Sequence, residues 1–238
     1  PGTFASGLKL NGSNCTARGL IINRFAGYGV LINGPVATRN TVAGCYLGVN
    51  SSGTAAVTNG LYPVQISGGA TANTVGGVLA SDRNVISGSA FQGLVIRGPG
   101  TRNNTVLGNH IGLNAAGTAA LSNRWSGVAV FDGAQSNRIG GLVPTSVNVI
   151  SGNGLQGVVI SDTNSSGNVV EGNYIGLNPT GTAAIPNGWA GVDIFGGASG
   201  NFVGTTGPGI CNVISGNGNH GVSISGGGTF GNVVKGNY

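Results

Sequence analysis

Five side-chain carboxylates are the whole acid inventory of this 238-residue chain: Asp82, Asp132, Asp162, Glu171 and Asp193. General acid and base work on a glycosidic bond needs two carboxyls facing each other across roughly 5 to 9.5 Å, so the chemistry open to the chain depends on which of these meet. Asp132 and Asp162 each stand five residues after the glycine of a G-V motif, Asp193 two after its own, and Arg97 four after Gly93. If the motifs stack, these four residues make a small acidic site of the kind a hydrolase or a weak calcium site would use. The competing reading is solvated residues at strand ends. No Asp-Asp pair, calcium loop or glycine-rich calcium nonapeptide accompanies them, so no metal is expected. His110 and His220 lack an orienting carboxylate, and G-x-S-x-G occurs only within turns such as "GVSISG". Cys15, Cys45 and Cys211 are odd in number and without C-x-x-C spacing, which indicates neither a disulfide framework nor zinc. No cofactor is expected.

A second group could bind rather than react. Two residues before successive G-V glycines, or before the equivalent Pro63, stand Leu61, Phe91, Trp125, Leu155, Trp189 and then Asn219. Facing outward, Phe91, Trp125 and Trp189 would form a stripe for sugar stacking or a partner protein. Facing inward, the column is a corner of the core. The ten Lys and Arg residues give a formal +5 but stand singly, so no phosphate-tracking patch is legible and nucleic acid is not expected as a partner. No apolar run is long enough to span a membrane.

The elements that must position these groups follow from a repeat. "NVISG" begins at Asn84, Asn148 and Asn212, and "GTAA" at Gly53, Gly117 and Gly181, each at a spacing of 64. Within that unit an N-x-[VI] element starts at Asn40, Asn73, Asn104, Asn137, Asn168, Asn201 and Asn232, in steps of 33 and 31. The G-V landmark alternates 34 and 30. Around it the pairs Val30/Ile32, Val64/Ile66, Leu94/Ile96, Val128/Val130, Val158/Ile160, Val192/Ile194 and Val222/Ile224 flank a free position. That is period two, the mark of strands with one buried face.

Such strands are too short to bury a core alone and must stack in register. The expected fold is all-β: a right-handed parallel β-helix, or β-solenoid, built on a 64-residue dyad of two circuits of about 32 residues, with three circuits of about 21 as the competing count. It covers residues 1–238 as one segment, read as part of a longer array. The seven asparagines share a phase with the inward Val or Ile two positions on, so they should form a buried amide ladder. A second column is expected at Asn59, Ser89, Asn123, Asn153, Asn187 and Asn217.

"NVISGNGLQGVVIS" and "GNYIGLNPTGTAAIPN" resemble the repeats of right-handed parallel β-helix proteins, the pectin-lyase-like superfold, and in particular the Asn/Gly-rich type found in large bacterial surface and secreted proteins. The resemblance implies an extracellular or cell-surface location and leaves function open, because the superfold carries lyases, hydrolases, epimerases, adhesins and passive stalks alike. Near-identity between rungs favours a structural segment of a stalk, adhesin or fibre, more spacer than enzyme, with itself (end to end or laterally) or a surface polysaccharide as partner. The alternatives are a polysaccharide lyase, hydrolase or epimerase using Asp132, Asp162, Asp193 and Arg97, or a non-catalytic carbohydrate-binding adhesin.

Overall fold

The computed structural model describes residues 4–204 and 210–238. Three parallel sheets of eight, eight and seven strands run the length of the molecule, and each turn of chain but the last, which gives to two, contributes one short strand to each. The chain is a parallel β-helix. Among the described residues no helix is long and apolar enough to cross a membrane.

The first sheet collects the predicted G-V strands, among them Val64–Ser67, Leu94–Arg97, Val128–Phe131, Val158–Ser161 and Val192–Phe195. Their alternate residues Val64, Ile66, Leu94, Ile96, Val128, Val130, Val158, Ile160, Val192 and Ile194 are fully buried. The second sheet holds the N-x-[VI] strands, with Val42, Val75, Val106, Ile139 and Val170 buried. The third was not separately legible. It uses Ile22, Leu47, Ile86, Ile111, Ile150 and Ile175, and these close the core against the other two.

Each sheet boundary is sealed by stacked asparagines. In the predicted ladder each Oδ1 accepts from the side-chain Nδ2 of the preceding rung, from Asn40→Asn73 at 3.0 Å to Asn201→Asn232 at 3.0 Å, with sequence offsets of 33 and 31. The second column forms as well: Asn123→Asn153 and Asn153→Asn187 bond at 3.0 and 2.8 Å with offsets of 30 and 34. A third, unforeseen ladder runs through Asn84, Asn109, Asn148, Asn173, Asn212 and Asn237, its offsets alternating between 25 and 39. The alternation arises because a loop with a short 3-10 turn, Ala80–Asp82 or Pro144–Ser146, precedes this ladder on every other rung.

The GTAA segments are hairpins that stand out from the remaining rungs, closed by antiparallel bridges Val49↔Ala56, Leu113↔Ala120 and Leu177↔Ala184. Asn50, Asn114 and Asn178 hold them, each Oδ1 accepting the Thr N–H four residues on at 2.9 Å. Successive hairpins touch: the Ala115 N–H donates to the Gly53 carbonyl at 2.9 Å.

Candidate functional site

The outer face of the first sheet forms a groove. Its floor is the row Gln65, Val95, Ala129, Val159 and Asp193, one residue per strand and in register. Side chains at alternate positions of a strand share a face, so Ser67, Arg97, Phe131, Ser161 and Phe195 make a second row beside it. The opposite wall is the apolar column. Its backbone is fixed rung to rung, with the Trp125 N–H on the Phe91 carbonyl at 3.2 Å, Leu155 on Trp125 at 3.1 Å and Trp189 on Leu155 at 2.9 Å.

This wall faces outward. Trp125 is 44% and Trp189 43% exposed, while Phe91 is half-buried. Of the two orientations open to the column, the inward core corner is therefore not the one adopted: the pairs Val128/Val130 and Val192/Ile194 already fill the interior, and residues before the glycine turn away from it. Tyr62, Phe91 and Trp125 form an edge-to-face series with centroids 6.1 and 5.6 Å apart, and Trp189 meets His220 at 5.6 Å. Between wall and floor, Trp125, Leu155, Gln156, Phe131 and Phe195 enclose a concavity of about 250 Å³.

The four charged residues singled out from sequence do not assemble into one cluster. Asp132 and Asp162 do stack, the Asp132 N–H donating to Asp162 Oδ2 at 3.3 Å, and Arg97 pairs with Asp132 while lying 4.9 Å over the Phe131 ring. These residues sit on the turn that leaves the sheet, where Asp132 and Asp162 take positive φ of 54° and 71°. Both members of the Arg97–Asp132 pair are about two-fifths exposed, so it contributes at most about 1 kcal/mol. Asp193 stands apart on the groove floor, 6% exposed, its Oδ2 accepting from Gln156 Nε2 at 3.1 Å. Of the remaining acids, Asp82 pairs with Arg18, which holds its carboxyl below the usual range, and Glu171 pairs with Arg138. Among the described residues no three His, Cys, Asp or Glu side chains come together as metal ligands, and the three cysteines are unpaired.

Neither a family model nor a curated protein sequence matches the chain. Among solved structures, a mutant of the periplasmic alginate epimerase AlgG is similar, with a TM-score of 0.53 and 14% identity over 87% of this chain. The likeness is one of fold. The chain spans 48% of that epimerase's length.

His110 replaces the tyrosine found at the equivalent positions 46 and 174, beneath a hairpin glycine. It is 2% exposed, with Nδ1 3.2 Å from the Ala115 carbonyl and Nε2 unpartnered. Burial, and next the charge of Arg83, lower its pKa from 6.5 to about 4. Because the unfolded chain then binds the proton first, His110 destabilises the fold as pH drops from 6.5 towards 4. Acidification from pH 7 to 4 should cost about 2 to 3 kcal/mol at this site. Urea titrations across that range should show the slope in the parent and its loss in His110→Tyr; identical pH profiles would contradict the assignment.

Proposed function

We propose that this chain is a segment of an extracellular, cell-surface stalk or adhesin, and that the groove on its first sheet holds polysaccharide without cleaving it. The observation that carries this reading is the outward wall of Phe91, Trp125 and Trp189 standing over a buried floor that is apolar at Val95, Ala129 and Val159 and polar at its two ends, Gln65 and Asp193. Aromatic faces paired with a few fixed hydrogen-bonding groups suit pyranose rings, which are apolar on their faces and polar at their rims. The structural unit is proposed to be the two-rung, 64-residue dyad of a right-handed, Asn/Gly-rich solenoid of the surface type. A second copy, meeting end to end or laterally, is the other partner proposed.

Holding rather than cleaving is supported by the division among the carboxylates. Asp132 and Asp162 lie on the turn beyond the sheet and Asp132 is occupied by Arg97, while Asp193 sits on the floor against Gln156. The enzymatic alternative, a lyase, hydrolase or epimerase, shares its fold and its substrate class with the alginate epimerase noted above.

One experiment separates these readings. In affinity electrophoresis through a panel of bacterial and plant polysaccharides, the parent should be retarded and Trp125→Ala combined with Trp189→Ala should lose at least ten-fold in affinity. The glycan should be recovered unchanged in length and stereochemistry. Turnover that disappears in Asp162→Ala would make the chain an enzyme, and retardation unaffected by the double substitution would remove the groove from the account.

A further inference from the structure

Four buried polar atoms on the outer side of the first sheet have no hydrogen-bond partner within the chain: Gln92 Oε1 and Ser126 Oγ in the lining of the concavity, and Gln65 Oε1 and Asp193 Oδ1 at the two ends of the floor row. Gln65, Ser126 and Asp193 are 7%, 2% and 6% exposed. Buried polar groups in folded proteins are paired almost without exception, so these four take their partners from outside the chain, from water or from a ligand that displaces it. We infer that this ligand is a carboxylate-free sugar chain, neutral or amino-bearing, that donates hydrogen bonds to the floor, and that polyuronates are excluded. The inference rests on the glycan-holding reading above and narrows its substrate class.

The direction of the missing bonds decides the chemistry. Gln65 cannot turn its amide around, because Nε2 donates to Ser67 Oγ at 3.0 Å and that hydroxyl spends its own proton on Asn33 Oδ1 at 3.0 Å. Its free atom is therefore the acceptor. Gln156 is oriented by the same logic, its Nε2 on Asp193 Oδ2, which leaves Asp193 Oδ1 to accept from outside. Two of the four atoms, Gln65 Oε1 and Asp193 Oδ1, can only accept, while the Gln92 amide, with no bond to fix its orientation, and the Ser126 hydroxyl can do either. Sugar hydroxyls, N–H groups and ammonium groups answer such a floor. A uronate would set its carboxylate against that of Asp193.

The formal charge of +5 argues the other way, since a basic protein attracts polyanions. That attraction is screened over about 8 Å in physiological salt, whereas Asp193 meets the ligand at contact. None of the residues lining the concavity is cationic, and Arg97 at its edge is engaged by Asp132 and Phe131. Trp125 and Trp189 are two rungs apart, about 10 Å on the spacing of parallel strands, with Trp189 and Asp193 on the same rung. A chain laid along the solenoid axis thus meets both indoles and the carboxylate.

The test is calorimetric titration of the purified chain with hexamers of glucosamine, glucose (β-1,4) and galacturonate. At least one of the first two should bind ten-fold or more tighter than galacturonate, and the pair distinguishes an amino from a neutral sugar. A smaller margin, or a preference for galacturonate, overturns the inference and leaves the glycan-holding reading standing. Binding of none of the three, with the polysaccharide panel also silent, overturns both. In Asp193→Asn the discrimination against galacturonate should fall at least five-fold. Asp193→Ser, which places in this row the side chain that Ser223 supplies on the paired strand, serves as the second variant. Discrimination that survives in a folded variant, as judged by its far-UV circular dichroism, shows that Asp193 is not its source and sinks the proposal.

Discussion

Asn137→Ala is expected to lower the unfolding free energy by about 3 to 5 kcal/mol. Asn137 is fully buried in the middle of its ladder. Its Oδ1 accepts from both the backbone N–H and the Nδ2 of Asn104 at 3.0 Å, and its Nδ2 donates to Asn168 Oδ1 at 3.1 Å. Alanine removes no apolar contact of consequence but leaves the two Asn104 donors without water or partner, at about 1 to 3 kcal/mol for each group stranded, while Asn168 Oδ1 keeps only the backbone N–H of residue 137, at 2.9 Å. Position along the ladder supplies the control. Asn232 makes the same bonds to Asn201 but is partly exposed, so water can replace the lost amide and Asn232→Ala should cost about 1 kcal/mol. Urea denaturation of the two variants reads the difference; equal losses would mean that burial does not set the worth of a rung.

Gly140→Ala should be at least as severe, about 4 kcal/mol or failure to fold. Gly140 takes φ of +117°, outside the range of L side chains, and an added methyl would collide with the Glu171 carbonyl of the next rung. Gly76 is built alike, at φ +96° against the Leu107 carbonyl. Gly19 isolates the conformational part: at φ +68° with nothing within 4 Å of a new methyl, Gly19→Ala should cost about 1 to 2 kcal/mol. Comparable losses at 140 and 19 would show that collision contributes little.

How far the fold was legible follows from spacing. The inward Val and Ile pairs and two of the three amide ladders recur at nearly even intervals, so stacking could be read without any structure. The third ladder shares a plain N-x-I signature, from Asn84-Val85-Ile86 to Asn109-His110-Ile111. It escaped because its offsets of 25 and 39 swing far to either side of the mean that the other columns, at 33 and 31 or 34 and 30, keep close to. Of the candidate site, the membership of the aromatic column was legible and its direction was not. Residues before the glycine lie outside the alternation that distinguishes the two faces of a strand, and only the turn conformation sends Trp125 and Trp189 outward. The stacking of Asp132 on Asp162 followed from their equal distance to a glycine. Asp193, at another distance, was drawn into their company by register alone, and the floor of the groove with its unpaired acceptors had no sequence signal beyond the free positions of the strands.

The touching hairpins bear on how such a molecule can change size. Each stands on alternate rungs and already reaches the next, Gly53 to Ala115. Loss of a single hairpin-free turn, or gain of a single hairpin-bearing one, would bring two hairpins onto adjacent rungs, where there is room for one. Turns can therefore be added to or taken from this stretch without crowding as pairs, one with a hairpin and one without, each pair adding about 10 Å of length.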